Sequence, residues 1–163
     1  MAIRVPDIAA LPEYAQRLLQ AARDVAPNSY NPYSDYIVGA AVAVADGTVF
    51  VGAFFENASY GMTICAEPAA VLAANSAGKR DIRTIAVVGG PHASMTTSSG
   101  QPCTPCGRCR QILAELAHLN GREIEVYAAD LSLTSILLLT SEELLPYAFG
   151  PDHVDRAIRA TTV

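Results

Sequence analysis

Between Ile82 and Gly90 the chain reads IRTIAVVGG, and from Ile85 onward that run carries no polar side chain. A short, continuous apolar run predicts a strand covered on both faces rather than one that alternates between core and water. Such a strand needs a layer on each side, and the chain offers helices to supply them. Leu11 to Val25 sets Ala15, Leu18, Leu19, Ala22 and Val25 at helical spacing, with Pro12 in the first turn and Pro27 closing the segment. Cys65 to Ala77 reads as a second, alanine-rich helix ended by Gly78, and CGRCRQILAELAHL, from Cys106, as a third, amphipathic one. YIVGAAVAVADGTVFVGAFF predicts two antiparallel strands joined at Asp46-Gly47, a dipeptide suited to the positive φ angles of a tight hairpin. EIEVYAAD adds a strand, and SILLL a last one before TSEELLPYAFGP and a final short helix. The order of elements predicts a mixed sheet with helices on both faces, hence the α/β class.

Bulk properties narrow the function. At 163 residues and 51% hydrophobic composition, the chain is expected to form one domain over residues 1–163 around its own core. Acidic residues outnumber basic ones by 16 to 11, for a net charge of −5, and no run of Lys or Arg could track a phosphate backbone. Nucleic acid is therefore not the expected partner. No segment approaches the ~18 apolar residues of a membrane span. Pro6, Asp7, Pro12 and Glu13 also stand where a secretory signal would need an unbroken apolar stretch. The expected location is the cytoplasm. In that reducing compartment four cysteines point to metal or redox chemistry before disulfides.

The cysteines can be sorted by position. GGPHASMTTSSGQPCTP holds too many Gly, Pro, Ser and Thr residues for a regular element, and loops of that length generally carry a function. This one delivers cysteines. Cys103, Cys106 and Cys109 form two overlapping C-x-x-C pairs, either of which supplies two ligands to a zinc ion whose third ligand comes from elsewhere. The second pair is the better placed: Cys106 falls at the helix entrance and Cys109 in its first turn, where unpaired backbone N–H groups and the positive dipole end favour thiolate. Cys65 holds the same kind of place on the second helix. Two helix starts facing each other would gather three thiolates, and a tetrahedral zinc with three protein ligands keeps a fourth position for water.

Each cysteine alone has a plainer reading, as a small buried residue, a redox pair or half of a structural zinc site. The combination is sharper. C-A-E at one helix start and P-C-x-x-C at a later one match the zinc-deaminase signature, with Cys in place of His as first ligand. Glu67, two residues beyond Cys65, would then lie beside the metal without binding it, taking a proton from water and passing it to the departing amine. A buried carboxylate with no such task would be costly.

NPYSDYIVGAAV, ENASYGMTICAE, PCGRCRQIL and LLPYAFGP follow one another in the order and spacing of the small cytidine deaminases, which the chain resembles from about Asn31 to Pro151. The resemblance implies a three-layer α/β/α fold with a central mixed sheet of about five strands. It further implies a homotetramer with shared active sites that hydrolyses the 4-amino group of a free cytidine-like nucleoside. By position, Cys65, Cys106 and Cys109 would hold zinc and Glu67 would shuttle protons. Glu56, Phe54, Tyr36 and Ala66 would line the substrate pocket, and Phe149 would reach a neighbouring subunit's site.

Three departures from the family pattern carry expectations of their own. Where relatives read N-x-E and grip a ribose hydroxyl with the Asn and the Glu, this chain reads FFE: Phe54 replaces the Asn and only Glu56 remains. A hydrophobic wall in place of a polar partner should weaken ordinary cytidine and favour a modified base or sugar, or an N4-substituted cytidine. Secondly, C-A-E-P stands where many relatives carry C-A-E-R. Three thiolates on Zn²⁺ leave one net negative charge, and Pro68, at home in a helix's first turn, cannot offset it. Arg108, inside a C-G-R-C like that of deaminases resembling the blasticidin S type, is expected to donate to a ligand sulfur instead. Thirdly, Cys103 is expected to be a small loop residue rather than a competing ligand or a redox-sensitive thiol. Of the histidines, only His92 is kept as a remote backup ligand, since His118 ends a helix and His153 lies in the tail. Asn57 and Tyr60 serve the pocket, subunit contacts or merely the turn. Competing with nucleoside deamination are a blasticidin S-type activity, a polynucleotide deaminase, which would need a basic groove, and a closed four-ligand structural zinc site, which would gain nothing from Glu67.

Overall fold

The structure is a computed structural model describing residues 2–95 and 100–154. Its strands are β1 (Ile3–Val5), β2 (Tyr36–Val44), β3 (Val49–Ala53), β4 (Ile82–Pro91), β5 (Glu125–Ala129) and β6 (Ile136–Thr140). Its helices are α1 (Glu13–Val25), α2 (Ala66–Ser76), α3 (Gly107–Asn120) and the one-turn α4 (Ser141–Leu144). The strands form one sheet in the order β1-β6-β5-β4-β2-β3. It has six strands rather than the expected five, because β1 adds three residues at the edge against β6. Ile3 is exposed and Pro6 follows at once, so nothing in the residue pattern marks β1 as a strand.

The apolar run behaves as its composition requires. Residues 84–90 of β4 are all buried, with α1 on one face of the sheet and α2 and α3 on the other. Leu18 and Leu19 of α1 pack with Ile37, Ala41, Ala86 and Val88. Burial of each such leucine stabilises by about 1.5–3 kcal/mol. The opposite face joins Ala66, Ala70 and Ala74 of α2 and Leu113 and Leu116 of α3 to Val42, Ile85, Val87 and Val126. Pro12 caps α1 from outside instead of sitting in its first turn, so the helix starts at Glu13. In the hairpin only Gly47 has positive φ, at 85°; Asp46 does not need it, because the turn closes through Gly47 N–H to the Val44 carbonyl. TSEELLPYAFGP opens with the one-turn α4, and a 3₁₀ turn at Pro151–His153 follows; the rest of the final short helix expected after it lies outside the described residues.

Strand direction fixes where the site forms. β3 runs antiparallel to β2, β2 antiparallel to β4, and β4 parallel to β5, so β3, β4 and β5 share one direction. α2 follows β3 and α3 follows β4. Both helices therefore begin at the carboxyl end of the sheet, where open α/β sheets place their ligands. α2 also lies unusually close to β3: a Cβ on Gly52 would stand 2.3 Å from Ala70 N and 2.6 Å from Ala66 O. Neither backbone atom can yield without moving the helix. Gly52→Ala is expected to cost about 2 kcal/mol, or roughly 6 °C in Tm for a chain of this size. It should weaken zinc binding as well, because α2 carries Cys65 at its head; calorimetry and metal titration check both.

Candidate active site

Cys65 is the N-cap of α2 and Cys106 the N-cap of α3, and neither side chain caps its own helix. An N-cap residue has extended backbone and ordinarily turns its side chain back onto the helix's free N–H groups. Here the sulfurs turn toward each other. Cys65 Sγ lies 3.8 Å from Cys106 Sγ, and Cys106 Sγ lies 3.5 Å from Cys109 Sγ, one turn further on. All three sulfurs fall within 4.8 Å of one another, and they are the only such group of three possible ligands among the described residues. Ligands at about 2.3 Å from a tetrahedral zinc stand about 3.8 Å apart, so the sulfur spacing suits that ion.

The sulfurs differ in acidity. Cys65 is lowered to about 7, chiefly by its hydrogen bond with Cys109, against burial and the nearby charge of Glu67; Cys106 and the Arg108 guanidinium help to lower it. Cys109 is pushed up by the same hydrogen bond with Cys65 and then by burial and Glu67. Glu67 sits in the first turn of α2, only 5% exposed. Burial holds its carboxyl above the usual range, partly offset by its own backbone N–H and by Cys109. A carboxylate raised in this way holds a proton nearer neutral pH, as a proton shuttle requires.

A three-stranded patch carries the remaining residues. Phe55 pairs with Ile64 in an antiparallel bridge, each N–H donating to the other's carbonyl at 2.9 Å. Alternation along the two segments then puts Phe54 opposite Cys65 and Glu56 opposite Thr63, on the face away from Phe55. Glu56 is buried, and its Oε2 accepts from Tyr33 N–H at 2.9 Å and Ser34 N–H at 3.3 Å. Burial opposes its ionisation, but hydrogen bonds from the Ser34 side chain and these two N–H groups hold its carboxyl below the usual range. Ala66 is fully buried at the first position of α2.

Arg108 is directed differently from expectation. Its Nη1 donates to the Thr63 carbonyl at 3.0 Å, two residues before Cys65, and its charge reaches the Cys65 sulfur through space. It tethers the start of α3 to the approach to α2. Arg108→Ala is expected to lower zinc affinity by about 10- to 100-fold, the range for residues that hold ligands in place; competition with a chromogenic chelator measures it.

Cys103 stands apart from the three sulfurs. Its N–H donates to the Ala129 carbonyl, and its sulfur occupies space that a Cβ on Gly89 would enter at 2.9 Å. Burial raises the thiol to about 11 against a hydrogen bond with Tyr36. A thiol so held is a poor nucleophile and a poor metal ligand. Tyr36, the first residue of β2, is itself pushed up by burial and by Cys103. His92 is exposed, its N–H donating to the Asp35 carbonyl, and it does not join the sulfur group. His118 faces Asp152 at 3.7 Å, and His153 stacks on the exposed Phe149. Asn57 shapes its own turn, accepting from Ser59 N–H at 2.9 Å, while Tyr60 lies exposed with its ring edge-on to Tyr33. Thr63, which no motif in the sequence singles out, holds Arg108 through its carbonyl and accepts from Asn57 N–H through its hydroxyl.

Three soft donors at two helix starts, with an acidic side chain close by that none of them needs as a fourth ligand, suit hydrolytic removal of an amino group by activated water. That is the work of the zinc deaminases. The chain belongs to the cytidine and deoxycytidylate deaminase family: residues 12–120 match its zinc-binding region. It is 42% identical to a cytidine deaminase of Halalkalibacterium halodurans over 86% of this chain and 97% of the relative. A cytidine deaminase of Mycobacterium tuberculosis is 40% identical, over 85% and 91%. Among solved structures, a cytidine deaminase from Burkholderia pseudomallei superposes with a TM-score of 0.71 at 38% identity, covering 85% of this chain and all of that one.

Proposed function

We propose that the protein hydrolyses the 4-amino group of a free cytidine-like nucleoside, whether cytidine, deoxycytidine or a modified or N4-substituted analogue, to the 4-oxo group with release of ammonia or, from an N4-substituted substrate, of the amine. The observation that carries this reading is the buried carboxyl of Glu67 beside three sulfurs spaced for a tetrahedral metal. Cys65, Cys106 and Cys109 hold the zinc ion, which when bound supplies the Lewis acidity that makes water nucleophilic near neutral pH. Glu67 accepts a proton from the attacking water and delivers it to the departing nitrogen, so one carboxyl serves as base and then as acid. Burial raises its pKa above the ordinary carboxyl range, which favours the protonated form that the second role needs. Arg108 holds the approach to Cys65 in register with α3. Glu56 receives the sugar, with Phe54 as an apolar wall, Tyr36 and Ala66 lining the base end and Phe149 extending from a neighbouring subunit of a homotetramer.

The relatives above bear the name cytidine deaminase, which favours this reading over a blasticidin S-type activity. A net charge of −5 speaks against a polynucleotide substrate. No helix among the described residues is long and apolar enough to cross a membrane. A cytoplasmic place in pyrimidine salvage fits the substrate class. The test is ammonia release by purified zinc-loaded protein from a panel of free nucleosides. Turnover of cytidine or deoxycytidine is the expected result, and no release from any cytidine-like member overturns the proposal.

A further inference from the structure

The face that carries Glu56 and Phe54 has one more polar group. Tyr30 pairs with Phe55 in a parallel bridge: its N–H donates to the Phe54 carbonyl at 3.0 Å and its carbonyl accepts from Glu56 N–H at 2.7 Å. The Tyr30 and Phe55 rings stack at 5.1 Å, which marks their shared side. Alternation sends the next residue, Asn31, to the other side, the side of Glu56. The turn that begins at Asn31 closes over that carboxylate: Tyr33 and Ser34 donate to Glu56 Oε2, and Asp35 N–H returns to the Asn31 carbonyl at 3.2 Å. Within this turn Asn31 Nδ2 is buried without a hydrogen-bond partner. Folded proteins seldom leave a buried donor unpaired, and one that is left beside a binding carboxylate points to an acceptor arriving with a ligand.

We propose that Asn31 Nδ2 donates to a sugar hydroxyl whose own proton goes to Glu56, making Asn31 a specificity-determining residue for substrates with a free hydroxyl on the sugar. The proposal rests on the nucleoside deamination proposed above. Its chemistry follows from what each group can do. An ionised carboxylate only accepts and an amide nitrogen only donates, so the pair matches a group that does both at once. A hydroxyl is such a group; the methylene of a deoxy position is not. Phe54 cannot supply the donor from its own strand, and Asn31 supplies it from the neighbouring one.

Steady-state kinetics of the zinc-loaded enzyme on cytidine and 2′,3′-dideoxycytidine provide the test. The wild type is expected to prefer cytidine. Asn31→Ala should lose about tenfold in kcat/KM on cytidine, the order of one lost hydrogen bond, and less than twofold on the dideoxy substrate. The loss should appear in KM more than in kcat. Asn31→Asp keeps the shape of the side chain but replaces its donor by a second carboxylate facing Glu56. It should lose at least as much on cytidine, and it carries the comparison if Asn31→Ala fails to fold. Equal losses on both substrates, no loss on either, or a wild type that does not distinguish the two overturns the proposal. A wild type that releases ammonia from no nucleoside is a different result, and it sinks the deaminase reading itself.

Discussion

Glu67→Gln is expected to leave the metal in place and to remove nearly all turnover. The amide has the size of the carboxyl and fills the same buried position in the first turn of α2, so the three sulfurs keep their spacing. It cannot, however, take a proton from water or give one to the departing nitrogen. A single general acid or base is typically worth 10²- to 10⁴-fold. Because the proposed mechanism routes both steps through this one side chain, the loss in kcat should lie near the top of that range, about 10³-fold or more. Ammonia release at saturating substrate, on protein whose zinc content equals the wild type's, measures it. A kcat within tenfold of the wild type would remove Glu67 from the mechanism.

The same substitution should stabilise the metal-free fold, and pH fixes the direction. The folded-state pKa of Glu67 is raised, mainly by burial. Its favourable contribution is therefore fully present below the unfolded carboxyl value of about 4.3 and is lost as pH rises through the folded value. Above the unfolded value the raised pKa sets this group against folding, because burial disfavours its charged form, whereas Gln is neutral throughout. Metal-stripped Glu67→Gln is thus expected to melt higher than metal-stripped wild type at pH 7.5 and to show no gain at pH 4. A strained functional group that costs stability is the usual reason for such a gain.

Much of this was legible because the signals were local. A continuous apolar run, helical spacing in the segment before Val25 and cysteines at two predicted helix starts each specify a short stretch by its own chemistry, and each appears where expected. The sulfurs meet because β3 and β4 run the same way, which residue order implied only once both helices were read as crossovers. What stayed hidden depends on long-range pairing. β1 is too short and too exposed to show a pattern, and it exists only because β6 offers an edge. The charge of three thiolates, with Pro68 unable to offset it, points Arg108 at a ligand sulfur; the carbonyl that receives it belongs to Thr63, 45 positions away. Asn31 carried no signal at all, since its meaning comes from a bridge between Tyr30 and Phe55.

Zinc affinity should fall steeply with acidity, approaching about a hundredfold for each pH unit well below 7. Thiols bind the ion as thiolates, so every sulfur still protonated in the metal-free protein must release its proton on binding, and each such proton contributes tenfold per unit. Cys65 titrates at about 7 and Cys109 well above the ordinary thiol value, so both are protonated well below pH 7 and at least two protons leave. The two shifts arise together, because the hydrogen bond between these sulfurs holds one proton on Cys109 in order to favour the anion on Cys65. Removing Cys109, only 1% exposed, should therefore do more than delete a donor. Cys109→Ala is expected to lose zinc on dialysis against a chelator that the wild type withstands, with an affinity loss beyond the roughly hundredfold ceiling of residues that merely support a ligand. In that variant Cys65 also loses its main source of acidity, so its thiol should titrate higher, and the onset of thiolate absorbance in the metal-free protein should move upward from about 7. A zinc affinity changing by less than tenfold between pH 6.5 and 5.5, or an unmoved thiolate onset in Cys109→Ala, would show that the sulfurs do not act as one coupled ligand set.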